Sequence, residues 1–192
     1  MKSLSRGFVF ALLLAITAAA GAAKDPPPDP RFMNIESVSV LPIVDARAGK
    51  KAGVNLQNLQ NSVVNILRKK RYLVNSSPND GDAGQIAEED LQAGEPQFIR
   101  KLGPADSRWV LVVCLEDVIS KVTFGSTGNA EMSGYLFDKE SGKVIWQSKG
   151  VGQAGQGGLL GMTMKGMMSG EAIGSALSNL FAGLPAKPKP GK

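Results

Sequence analysis

The side chains of this sequence that could do chemistry are few and poorly matched to one another. There is a single thiol, Cys114, and no histidine at all. Without imidazole the commonest general base and the commonest metal ligand are missing, which excludes Ser-His-Asp and Cys-His catalysis and any zinc cluster. One cysteine also excludes an internal disulfide. Cys114 falls within Trp109–Val118, the most apolar run of the mature chain, where a thiol is an inert core residue; reactivity needs an exposed, electropositive setting. Glu116 and Asp117 adjoin, but neighbours in a strand point to opposite faces and form no acid/base dyad. Asp80 and Asp82, in the turn-rich loop 76–84, lack the ligand spacing and closing Glu of an EF-hand. Glu88, Glu89 and Asp90 read as the negative start of a helix. A non-enzymatic protein is therefore expected, with no catalytic residue, cofactor or metal ligand.

What remains are segments suited to contact. Gly166, Gly170, Gly174, Ser178 and Ala182 recur every four residues beside an apolar stripe of Ile173, Leu177, Leu180, Phe181 and Leu184. Together they describe a helix with one smooth edge, of the kind that lets a second backbone approach closely. Lys165 and Glu171 interrupt any membrane-length apolar run, so we read this as a terminal helix packed tightly on a sheet. Met162, Met164, Met167 and Met168 suit either an adhesive surface or an irregular core. Asp138–Gly142 forms a polar hairpin closing on Lys143. The residues singled out for interaction are thus Gly166, Gly170, Gly174, Asp138 and Lys143. Gly155, Gly157 and Gly158 invite a dinucleotide reading, but neither the full spacing nor an acidic ribose ligand follows; Gly142-Lys143 likewise lacks the rest of a phosphate loop.

The elements that would carry these segments read as α/β. Ser37–Asp45 is a β-branched strand with Pro42 at its end or at a bulge. Leu56, Leu59, Val63, Ile66 and Leu67 share one helical stripe, with Asn55 as N-cap and Arg68–Arg71 at the C-terminus. That basic run is either an anionic-lipid or nucleic-acid patch or a well-charged helix end, and we favour the last. Tyr72–Asn75 is a short strand, so strand, helix, strand implies parallel pairing. Ile86–Leu91 and Pro96–Leu102 are helical, broken near Gly94, and Trp109–Val118 is a central strand buried on both faces. Strands at Lys121–Phe124, Asn129–Asp138 and Lys143–Gly150 follow as an antiparallel meander. The expected fold is a mixed sheet with a parallel β-α-β start and an antiparallel C-terminal meander, flanked by helices.

The ends place the protein. Lys2 and Arg6 precede an apolar run, Gly7–Thr17, and small residues at Ala18–Ala23, which is the pattern of an export signal over residues 1–23. Residues 24–34 are a Pro-rich linker, 35–185 one domain and 186–192 a basic disordered tail. No Cys stands at the cleavage region, so a thioether lipid anchor is not expected. Removing Lys2 and Arg6 from the 22 basic residues leaves 20 against 17 acidic ones, a mild balance scattered along the chain that does not suggest nucleic acid.

Several of these segments resemble a known group. Ser37-Val-Ser-Val-Leu-Pro-Ile-Val44, an amphipathic helix, Ala105-Asp-Ser-Arg-Trp-Val-Leu111, then Gly134-Tyr-Leu-Phe-Asp138 with Ser141-Gly-Lys-Val-Ile-Trp146 resemble bacterial envelope proteins related to the TolB amino-terminal domain and to the curli-secretion subunit CsgG. Ala176–Pro185 is similar to the final helix of lipoproteins in that group. The lipidated Cys and a long amphipathic hairpin pair for a CsgG-type pore are both lacking. The resemblance implies an anticodon-binding/TolB-N-like module working in envelope assembly or transport through protein contacts, in the periplasm or at the outer envelope. It carries over no catalytic residues. Self-association and peripheral membrane contact through the Gly/Met-rich C-terminal helix form the alternative reading.

Overall fold

A computed structural model describes residues 30–48, 53–76, 86–123, 125–157 and 165–188. The expected signal segment, most of the Pro-rich linker, the loop containing Asp80 and Asp82, and Met162 and Met164 lie outside them. The fold is α/β: a six-stranded mixed sheet with a helical layer on each face.

Ser37–Asp45 is not one strand. It divides into β1 (Ser37–Val40) and β2 (Val44–Asp45), which lie end to end along the same side of β4 (Trp109–Thr123). Pro42 sits in the break, where its missing N–H costs no ladder bond. A short helix, α1 (Pro30–Met33), leads into β1 and buries Phe32. In α2 (Leu56–Lys69), Asn55 caps the first turn by accepting from the Asn58 amide at 2.9 Å, and Leu59, Val63, Val64 and Leu67 face the sheet. The chain returns through β3 (Leu73–Ser76), parallel to β1, as the strand–helix–strand order requires. Two single-turn helices follow, α3 (Glu88–Ala93) and α4 (Pro96–Lys101), separated by Gly94 in the left-handed region with Pro96 at the first helical position.

The meander is longer than the sequence suggests. β4 runs without interruption through the segment expected to be a separate strand at Lys121, and pairs antiparallel with β5 (Gly125–Asp138), which pairs antiparallel with β6 (Lys143–Gly157). A register shift between Leu115 and Asp117 absorbs Glu116 and lets the ladder continue. At about 3.3 Å per residue these strands extend some 50 Å. Sheet order is β3-β1-β4-β5-β6, so β6 is an edge. The strand expected to end at Gly150 continues through the glycine-rich stretch to Gly157.

Along β4, Trp109, Leu111, Val113 and Leu115 enter the core shared with α2 and α5 (Lys165–Leu180), while Val110, Val112 and Cys114 enter the core beneath α3 and α4. This is why the run is apolar at every position. After α5 the chain turns through Phe181–Leu184 and is clasped to the end of α2. Lys70 Nζ donates to Leu184 O at 2.7 Å, Tyr72 Oη to Pro185 O at 2.7 Å, and the Lys187 amide to Lys70 O at 2.9 Å.

Candidate interaction surface

Cys114, Glu116 and Glu131 are committed to the fold. Cys114 is fully buried, and burial first, then the fields of Glu88 and Glu116, push its thiol up to about 12, although the Ser133 hydroxyl opposes the shift. Such a thiol stays protonated and inert at neutral pH. Glu116 and Glu131 share the Lys149 ammonium at 2.6 and 3.2 Å.

Asp138 and Lys143 begin the hairpin and are in register, but they play different parts. The Asp138 carboxylate is buried and accepts from Arg108 Nε at 3.0 Å, Arg108 Nη2 at 3.2 Å and the Glu140 amide at 3.1 Å. Arg108 also lies 4.6 Å over the Trp109 ring and contacts Glu140. Lys143 remains exposed. Burial alone would raise the Asp138 pKa, but hydrogen bonds from Arg108 and Ser141 and the Arg108 charge hold it below the usual carboxylate range. A depressed folded pKa gives stability that is complete above the unfolded value near 4 and lost as pH falls through the lower folded one. Asp138→Asn is therefore expected to flatten the acid limb of the stability curve. Thermal melts between about pH 2 and pH 5 check this, and parallel curves for the two proteins would contradict it.

The glycine stripe lies elsewhere. Gly170 and Gly174 are on the outer face of α5, with no heavy atom within 4 Å of where a Cβ would stand, so they are not the tight helix–sheet contact expected from their spacing. The surroundings of Gly166 lie outside the described residues. The close approach is made from the sheet instead: Gly128 meets the backbone of Met168 and Ser169, Gly150 that of Ala176 and Leu180, and Gly152 that of Ala172 and Ala176. α5 turns Ala172, Ala176 and Leu180 toward these strands, all fully buried. Among the described residues nothing brings Asp138 and Lys143 together with Gly170 and Gly174.

The outer edge of α5 does meet something that its spacing did not reveal. Gly174, Leu177, Ser178, Phe181 and Ala182 form one wall of an open groove of about 630 Å³, and Ser62, Asn65, Ile66, Lys69 and Lys70 form the other. Its lining combines the apolar side chains of Ile66, Leu177 and Phe181 with two hydroxyls, an amide and two lysines. Lys70 is occupied by Leu184 O, and burial lowers its pKa. Lys69 is exposed. Among the described residues no carboxylate lines the groove. Among the described residues no helix is long and apolar enough to cross a membrane, and no three His, Cys, Asp or Glu residues are placed to hold a metal ion.

No family model matches the chain, and no curated protein does. Solved structures resemble it at low identity. A PelC dodecamer from Paraburkholderia phytofirmans is 18% identical over 80% of this chain and 89% of its own, with a TM-score of 0.49. Lipoprotein GNA1162 from Neisseria meningitidis is 17% identical over 70% and 96%, with a TM-score of 0.48. The LpoB C-terminal domain from Salmonella enterica is 14% identical over 61% and 82%, with a TM-score of 0.35.

Proposed function

We propose that this chain is an exported, non-enzymatic α/β module that makes protein contacts in cell-envelope assembly or transport, in the periplasm or at the outer envelope. The observation that carries this reading is the contrast between the two kinds of surface. The thiol is buried and Glu116 and Asp138 are held in ion pairs, whereas the α2–α5 groove is open and lined by small, polar and apolar groups with two lysines. The signal-like residues 1–23 and the TolB- and CsgG-like segments support the compartment and the role.

The test is affinity capture from envelope extracts of the native host with the chain and its Gly174→Trp variant. Gly174 is exposed and unobstructed, so the indole fills the groove without straining the helix. A defined partner lost on this substitution is expected. Failure to find any partner, together with turnover of a small substrate abolished by changing one carboxylate, would overturn the proposal.

The alternative reading, a peripheral membrane contact through α5, is favoured by Met167, which is 56% exposed beside the open Gly170. Flotation with liposomes separates the two.

A further inference from the structure

The two helical layers carry opposite charge. On one side of the sheet, residues 56–76 and 167–188 contain Arg68, Lys69, Lys70, Arg71 and Lys187 against Glu171 alone. The first four stand at the end of α2, and Lys69 and Lys70 line the groove. On the other side, residues 86–101 contain Glu88, Glu89, Asp90 and Glu95 against Arg100 and Lys101, with three of the acids in the first turn of α3. The open sheet face beside α3 adds Asp117 and Glu131, cross-strand partners that share a face, together with Lys149, which pairs with Glu131.

This arrangement decides how the molecule can meet another copy of itself. A two-fold contact that places like layers together sets lysines against lysines or carboxylates against carboxylates, which is repulsive. A head-to-tail contact sets the acidic layer of one copy against the basic groove of the next. Glu89 and Asp90 are exposed at the tip of α3, and the small residues Gly174, Ser178 and Ala182 leave the groove wall low enough for a helical turn to approach. We infer that a second copy of this chain is the groove's occupant, with α3 of one protomer seated between α2 and α5 of its neighbour, Glu89 and Asp90 facing Lys69 at the groove and Arg68 beside it at the end of α2. Such a contact is heterologous, so it propagates until a ring closes or a filament forms. The inference rests on the reading of the chain as a contact module.

The test is sedimentation velocity of the purified chain at about 0.05 M and about 0.5 M salt, since exposed ion pairs separated by more than a few ångströms are screened at the higher value. A weight-average mass at least about twice the monomer's at low salt, falling toward the monomer at high salt, is expected. Arg68→Glu/Lys69→Glu and Glu89→Lys/Asp90→Lys should each be monomeric alone. All four positions are exposed, and the variants leave the Lys70 clasp intact. Mixed in equal amounts, the two variants should associate again, a recovery that a misfolded protein could not give. A parent chain monomeric at low salt, an assembly indifferent to both variants, or failure of the mixture to associate would each overturn the head-to-tail contact. So would a monomer whose Arg68 and Lys69 serve only to bind vesicles of anionic lipid. A monomer that still captures a defined envelope protein would overturn this contact and leave the proposed function standing.

Discussion

Gly152→Val is expected to destabilise the domain by about 3 kcal/mol, near the upper end of overpacking penalties, whereas Gly174→Ala is expected to stabilise it by about 0.5–1 kcal/mol. The two glycines are separated by which backbone they face. A Cβ on Gly152 would run into the Ala172 carbonyl and the Ala176 amide of α5, and neither can move without breaking helical hydrogen bonds. Gly150, two residues earlier and therefore on the same face of β6, meets Ala176 and Leu180 in the same way. Any side chain at either position must lift α5 off β5 and β6, exposing Ala172, Ala176, Leu177 and Leu180 together. At Gly174 the space is open and the residue is mid-helix, so replacing it recovers the entropy that glycine loses on folding. Thermal or urea unfolding reads both. A drop in melting temperature of about 10 °C for Gly152→Val with a small rise for Gly174→Ala is the expected pattern. The reverse order would mean that α5 is seated with its glycine edge inward.

That contrast also marks where the sequence can be read and where it cannot. The central strand was legible because Trp109–Leu115 is apolar at consecutive positions, and only a strand covered on both faces needs that. The stripe and cap of α2 were legible because both signals are local. The small-residue repeat of α5 was equally visible but pointed the wrong way. Spacing identifies a helix edge without saying what stands beside it, and the complementary signal was Gly150-x-Gly152, a period of two that only means one face once the segment is known to be strand. The same dependence hid the Asp138–Arg108 pair. Thirty residues separate them, and they meet because the ladder sets Trp109 opposite Asp138. The continuation of β4 past Val118 was obscured by the bulge at Glu116, which breaks the alternation a pattern reading follows. The groove could not be seen at all, since α2 and α5 are far apart in the chain and become neighbours only where they pack on the same face of the sheet.

Phe181→Ala is the second substitution with a large expected effect, a loss of about 3–5 kcal/mol. Phe181 is 1% exposed and stacks on Trp146 with ring centroids 5.6 Å apart and planes 14° from parallel. Its backbone belongs to the turn that ends α5, with its amide bonded to Leu177 O at 3.1 Å, so the chain on either side is held and the hole cannot close by local collapse. Opposite the cavity stand Leu177 and the groove wall from α2, whose positions are set by the Lys70–Leu184 clasp. Trp146 supplies the readout. In a Trp109→Phe background it is the sole indole of the two in the chain, and removal of Phe181 should let water reach its ring and shift its emission to the red. Phe181→Leu restores most of the volume but not the stacked ring. It should recover the stability to within about 1.5 kcal/mol, leaving only the aromatic contribution missing. If Leu were as damaging as Ala, the ring geometry rather than the filled volume would be holding the end of α5 against β6. If Ala were tolerated with unchanged emission, Phe181 would not hold the groove wall in place, and the packing that sets α5 beside α2 would have to come from Leu177 and Leu184.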